Sequence, residues 1–309
     1  MPNSGNHLSY ISLHVSQPNV FSGRTCPYDE AVYVVVGVPY DRSSTYRPGS
    51  RFGPSAIREA SANIETYSMR TGVDIEDLRI CDAGDVNVTE SPLETMERIR
   101  SVIHQIVSDG KIPVMLGGEH TVSFGAVRAF RDIDVVSFDA HMDLRNEYNG
   151  DPLSHASVMR RISEHVGPER IVLVGTRAVC KEELEFSRTK QVAIVPSLDL
   201  HEDAVDDACS PVKKTLDGRQ KLYVTLDMDV LDPAFAPAVG NPEPDGLTPK
   251  TLVSLLEEVC KRKVVAIDLT EVTPHYDTGE TAVQAAKLLF ETLCYVVARQ
   301  RNVRSVSSR

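Results

Sequence analysis

A doubly wound α/β fold is predicted by three observations. Short runs rich in Val and Ile recur along the chain, helix-patterned stretches alternate with them, and polar clusters follow the carboxyl ends of several runs. Residues 1–30 are polar with weak periodicity and read as an extended arm. The runs lie at 31–38, 112–116, 133–138, 171–174, 192–195, 222–226 and 264–267. They are too short for helices and too uniformly apolar for half-exposed strands, so they are expected as buried parallel strands covered on both faces. The clearest helix spans 91–109. Ser91 caps it, Pro92 suits its first position, Glu94 is placed for a capping box, and Gly110 stops it. Leu93, Met96, Ile99, Ile103, Ile106 and Val107 form its apolar stripe. Thr248-Pro249 opens a second helix to about residue 261, and a third spans 281–300. Neither a linker nor a repeat divides 1–309, so one domain is expected, with 301–309 a flexible tail.

Composition narrows the function. The chain has 309 residues, a net charge of −11, 41% hydrophobic and 25% charged residues. That balance disfavours a nucleic-acid partner, which needs clustered Lys and Arg against phosphate. The six Cys are scattered without a CxxC pair, which fits reduced core thiols in a cytoplasmic protein better than a zinc ribbon or redox dithiol. No membrane span is expected, since no stretch approaches about 18 apolar residues.

In open parallel sheets, ligands bind beyond the carboxyl ends of the strands. After 112–116 comes Gly117-Gly118-Glu119-His120; after 133–138, Asp139-Ala140-His141-Met142-Asp143; after 222–226, Asp227-Met228-Asp229; after 264–267, Asp268-Leu269-Thr270-Glu271. Side chains alternate in extended backbone, so Asp139, His141 and Asp143 share a face, as do Asp227 and Asp229. So many carboxylates together repel, unless cations intervene. Two divalent ions would balance Asp139, Asp143, Asp227 and Asp229, with His120 and His141 as neutral ligands. The oxygen-rich set without thiolate suits Mn²⁺, with other first-row ions possible. Two ions about 3.5–4 Å apart can share a water and make it a hydroxide near neutral pH. Asp232 and Asp268 read as turn or supporting residues.

These clusters, with Thr225-Leu226-Asp227-Met228-Asp229-Val230-Leu231-Asp232-Pro233, resemble the signatures of the ureohydrolases, the arginases and agmatinases. Tyr46-Arg47-Pro48-Gly49-Ser50-Arg51-Phe52-Gly53-Pro54, Ser154-His155-Ala156-Ser157 and Glu271-Val272-Thr273-Pro274 are similar to the agmatinase branch. The resemblance covers about residues 31–299. It implies a three-layer α/β/α sandwich of about eight mostly parallel strands, two Mn²⁺ ions and a trimer or hexamer. His120 and Asp143 would bind one ion, His141 and Asp229 the other, and Asp139 and Asp227 both.

The resemblance also implies chemistry: a metal-bridging hydroxide attacks a guanidino carbon and releases urea and an amine. Asp143 would orient the nucleophile, His155 would protonate the leaving amine or shuttle its proton, and Glu271 would hold the guanidinium by a two-pronged ionic hydrogen bond. Agmatine, giving putrescine, is the expected substrate. N1-aminopropylagmatine, guanidinobutyrate and arginine are alternatives. In the loop 144–153, Glu147 and Asp151 are candidates for a distal ammonium, and Arg145 for a carboxylate. Ala156, Ala238 and Asp245 stand where the family usually has Gly, which bears on pocket shape. The mononuclear zinc deacetylases that share this fold lack the second-metal ligands. A catalytically silent, ligand- or partner-binding homologue would usually have lost at least one of the residues named.

Overall fold

Burial of the Val- and Ile-rich runs on both faces builds one sheet. The computed structural model describes residues 14–16, 19–200 and 205–307. The strands are β1 (Val15–Ser16), β2 (Tyr33–Gly37), β3 (Tyr67–Ser68), β4 (Val73–Asp74), β5 (Ile80–Val86), β6 (Ile112–Leu116), β7 (Asp134–Phe138), β8 (Ile171–Thr176), β9 (Ala193–Pro196), β10 (Lys221–Asp227) and β11 (Lys263–Thr270). Strands β3 and β4 form a separate small hairpin. The main sheet runs β1-β5-β2-β6-β11-β10-β7-β8-β9. Eight of these strands are parallel, and β1 adds an antiparallel edge. All seven predicted runs are strands.

Eight helices cover the sheet among the described residues: α1 (Gly53–Ser61), α2 (Pro92–Ser108), α3 (Val122–Val127), α4 (Val158–Val166), α5 (Lys181–Lys190), α6 (Val205–Thr215), α7 (Pro249–Cys260) and α8 (Glu280–Ser307). The pleat divides the interior into two cores. Tyr33 and Val35 of β2 pack in the core that includes Ile57 of α1, Leu252 and Leu256 of α7 and Leu289 of α8. Val34 and Val36 point the other way, into the core with Ile99 of α2, Val122 of α3 and Ile162 of α4. This is the expected three-layer arrangement.

The caps follow the sequence with one difference. Ser91 accepts from the Glu94 amide at 3.3 Å, but the Glu94 carboxylate turns to Arg98 at 2.7 Å, so the capping box is half formed. Leu93 is 68% exposed, and the buried stripe of α2 begins at Met96. Helix α8 continues to Ser307, into the segment expected as a loose tail. Residues 280–301 are long and apolar enough to cross a membrane on length and composition, yet most of that stretch is buried inside the fold. Residues 1–13, 17 and 18 of the arm lie outside the described residues. The arm is tied down at Phe21, which is buried and meets Phe290 edge-on at 5.4 Å.

Strand β5 is not among the predicted runs, because its interior is partly acidic. Asp82 binds Arg58 at 2.8 and 2.9 Å, and Asp85 binds it at 2.5 Å. Arg58 and Asp82 side chains are wholly buried. Gly37 leaves room for this pair, since a Cβ there would fall on Asp85 and lie 2.9 Å from Arg58 Nη1. Removing one partner strands a buried charge. Arg58→Met is expected to cost about 3–5 kcal/mol in urea unfolding; a loss under about 1 kcal/mol would contradict this account.

Candidate metal centre

Four neighbouring strands, β6, β11, β10 and β7, deliver the polar clusters to one rim. Gly117 and Gly118 turn the chain after β6. A Cβ on Gly118 would fall on the Tyr40 carbonyl, which already accepts the Glu119 amide at 2.7 Å, so only glycine fits. The turn places His120, 1% exposed, over the ends of β7 and β10. Asp227 ends β10, and its Oδ1 accepts the Asp229 amide at 2.9 Å. Asp139 Oδ1 accepts the His141 amide at 2.6 Å, and Asp229 Oδ1 accepts the Ala140 amide at 3.0 Å. Glu271 follows β11; its amide donates to Gly118 O at 2.8 Å, and its Oε1 accepts the His120 amide at 2.7 Å.

Two groups of donor atoms converge, and Asp139 belongs to both. His120, Asp139 and Asp143 form one, and Asp139, His141 and Asp229 the other. His120 Nδ1 lies 3.0 Å from Asp139 Oδ2, 3.2 Å from Asp143 Oδ2 and 3.4 Å from Asp227 Oδ2. His141 Nδ1 lies 3.0 Å from Asp229 Oδ2 and 3.6 Å from Asp139 Oδ1. Asp227 stands against the first group.

The chemistry of this set fits cations. His120 Nε2 is 3.1 Å from Thr225 Oγ1, and Thr225 donates its only proton to Asp268 at 2.5 Å. Thr225 therefore accepts from His120 Nε2–H, so the neutral ring, the form that ligates a metal, has its lone pair on Nδ1 facing three carboxylate oxygens. His120 Nδ1 and Asp139 Oδ2 are buried and lack a hydrogen-bond partner. Burial, then neighbouring charge, raises Asp143 to about 7 and pushes Asp227 and Glu271 well above the usual carboxylate range. Burial opposes charge on His120 and His141 too, but the surrounding carboxylates outweigh it and raise both. The pocket is thus starved of positive charge, and divalent ions would supply it.

His120, His141, Asp143, Asp227 and Asp229 line a cavity of about 320 Å³, together with Thr45, Arg145, Tyr148, His155, Ala156, Asn241, Glu243 and Glu271. His155 is held by Ser43, and burial lowers its pKa to about 4. Arg145 lines the cavity and stacks over Tyr148 at 5.2 Å. Glu147 and Asp151 are not brought to the lining: Glu147 is exposed, and Asp151 pairs with Arg42 at 2.6 Å. Ala156 lines the cavity, Ala238 is buried and is not one of the lining residues, and Asp245 takes a left-handed φ of +65°, the conformation that favours Gly.

Sequence reasoning missed several supporting residues. Arg177, just past β8, donates to the carbonyls of Asp229 at 2.7 Å, Glu243 at 2.8 Å and Pro244 at 2.9 Å, tying a ligand turn to the cavity wall. Thr225 stands in the signature quoted above without a role of its own, and nothing in the sequence singles out Ser43. Their partners lie 43 to 112 residues away in sequence, so no local pattern marks them.

Comparison with known proteins identifies the family and the fold. The family model "Arginase family" matches residues 31–294. The agmatinase of Bacillus subtilis (strain 168) is 38% identical over 284 residues, covering 89% of this chain and 95% of that protein. The N(1)-aminopropylagmatine ureohydrolase of Thermococcus kodakarensis is 36% identical over 269 residues, 86% of this chain and 91% of that one. The crystal structure of the agmatine ureohydrolase of Thermoplasma volcanium superposes with a TM-score of 0.85 at 38% identity, covering 93% of this chain and 97% of that one. The chain that carries this two-group carboxylate and imidazole rim belongs to the arginase family.

Proposed function

We propose that this protein hydrolyses the guanidino group of agmatine to urea and putrescine. The observation that carries the reading is the pair of donor groups that share Asp139, whose other members line one cavity with Glu271 and His155. The named agmatinases and agmatine ureohydrolase above support the substrate. His120 and Asp143 would hold one ion and His141 and Asp229 the other, with Asp139 and Asp227 reaching both; Mn²⁺ suits the oxygen-rich set. When bound, such ions supply Lewis acidity and an activated water.

The chain's own groups do the rest. Asp143 lines the cavity beside His120, its Oδ2 3.2 Å from His120 Nδ1, where it can accept a hydrogen bond from the attacking water and orient it. Glu271 keeps Oε1 on the His120 amide and turns Oε2 toward Gly240, where a Cβ would stand 2.9 Å away. Gly240 therefore leaves space for a guanidinium at that oxygen. His155 moves a proton to the leaving nitrogen, because an amide anion is too basic to leave unprotonated. With Glu147 and Asp151 off the wall, Glu243 is the lining acid open to a distal ammonium, since Glu183 is taken up by the Leu144 and Cys180 amides. Arg145 on the same wall favours a second reading, a guanidino acid such as guanidinobutyrate. N1-aminopropylagmatine is a third, supported by the T. kodakarensis relative. The reading also places the enzyme in the cytoplasm, in keeping with six free cysteines, and as a homo-oligomer in polyamine biosynthesis.

Urea release from Mn²⁺-loaded protein is expected with agmatine and lost on chelation; a panel with aminopropylagmatine, arginine and guanidinobutyrate ranks the alternatives. No turnover of any member would reject the enzyme reading. Metal at 100 times its Kd should stabilise the fold by about 2.7 kcal/mol, seen as a rise in melting temperature that Asp139→Ala abolishes. His155→Asn is expected to lower kcat about 10²–10⁴-fold with metals still bound; an unchanged rate would remove His155 from the proton path.

A further inference from the structure

The side of His155 that faces away from the cavity is a closed hydrogen-bond chain. Ser43 Oγ lies 2.9 Å from the His155 amide nitrogen, 3.1 Å from His155 Nδ1 and 2.9 Å from Glu119 Oε1. Glu119 is fully buried. Its Oε2 accepts the Ser43 amide at 2.6 Å, and its Oε1 also accepts the Thr121 hydroxyl at 2.8 Å. On the opposite side, His155 Nε2 meets the Asn241 side-chain nitrogen at 3.5 Å, and both residues line the cavity, which Ser43 does not.

The directions follow from counting protons with Glu119 as the carboxylate. Both Glu119 oxygens then act as acceptors, and the one Ser43 hydroxyl proton goes to Oε1. The His155 amide can only donate, and it takes a Ser43 lone pair. Only a lone pair then remains on Ser43 for His155 Nδ1, so Nδ1 must carry the ring proton. A neutral imidazole with Nδ1–H has its lone pair on Nε2, facing the cavity, where the Asn241 amide can donate to it.

We infer that Ser43, oriented by Glu119, is a positioning residue that fixes His155 in the Nδ1–H tautomer. His155 then meets the substrate as an acceptor through Nε2. It delivers a proton to the leaving amine only after Nε2 has taken one up from water, and returns to the same tautomer afterwards. The inference rests on the proposed role of His155 and adds the residues that set its state. It also explains why Ser43 bonds both the backbone and the ring of His155: one hydroxyl fixes the position of the residue and the donor sense of its ring.

The test is ¹⁵N NMR of histidine-labelled protein loaded with a diamagnetic divalent ion, with His155→Asn identifying the signal. Wild type should show His155 protonated at Nδ1 and unprotonated at Nε2. Ser43→Ala should move it toward the Nε2–H form and lower kcat roughly tenfold or more with KM within about twofold. Ser43→Thr, which keeps the hydroxyl, should keep the Nδ1–H signal and recover most of the kcat. An Nε2–H signal in wild type, or an unchanged tautomer in a folded Ser43→Ala, overturns the inference. Full activity in His155→Asn would instead overturn the role of His155 in the reaction, and the NMR reading of the tautomer would still decide the part played by Ser43.

Discussion

The crowding of buried carboxylates at one rim of the sheet is the constraint on which the site depends. Asp139, Asp143, Asp227, Asp229 and Glu271 are each at most 6% exposed, and among the described residues no Lys or Arg except Arg145 lines the cavity at this rim. Desolvation and mutual repulsion would drive such a group toward protonation or apart. The fold holds it together with backbone amides: Asp139, Asp227, Asp229 and Glu271 each accept one. Each amide bond spends one carboxylate oxygen on the protein and leaves the other aimed inward. The arrangement makes sense as a cation site whose ligands are preorganised by the strand ends, so that little reordering is left to binding.

Holding the ligands in place strains the chain. Asp143 adopts φ +52° and Glu271 φ +65°, in the left-handed region that costs most residues about 1–3 kcal/mol. Aspartate tolerates this better than glutamate, so Glu271 is the less comfortable of the two. The surrounding bonds over-determine it: its amide on Gly118, its carboxylate on the His120 amide. The same logic applies to Arg58 with Asp82 and Asp85 beneath the sheet edge, and to Arg177 over the Asp229 turn. In each case a planar guanidinium gathers acceptors that would otherwise be buried without partners.

How much was legible depended on whether the signal was local. Buried parallel strands announce themselves as apolar runs, and all seven were read correctly in place. Strand β5 did not, because Asp82 and Asp85 interrupt its pattern and their charge is neutralised by Arg58, 24 and 27 residues earlier. The carboxylates and imidazoles that gather at the rim were legible because strand ends and alternate positions are sequence features. Glu147 and Asp151 show the opposite: a loop's composition names available charges but not their direction, and Asp151 is turned to Arg42.

The amino-acid sequence by itself determined the strand and helix layers, the Gly-Gly turn, and which carboxylates and imidazoles stand at the strand ends, because periodicity and turn chemistry act over a few residues. Only the tertiary structure decided which of them share a centre, how Thr225 and Asp268 orient His120, and how Ser43 and Glu119 hold His155. Those arrangements join segments up to 112 residues apart, and their hydrogen-bond directions follow from three-dimensional distances that no spacing along the chain encodes.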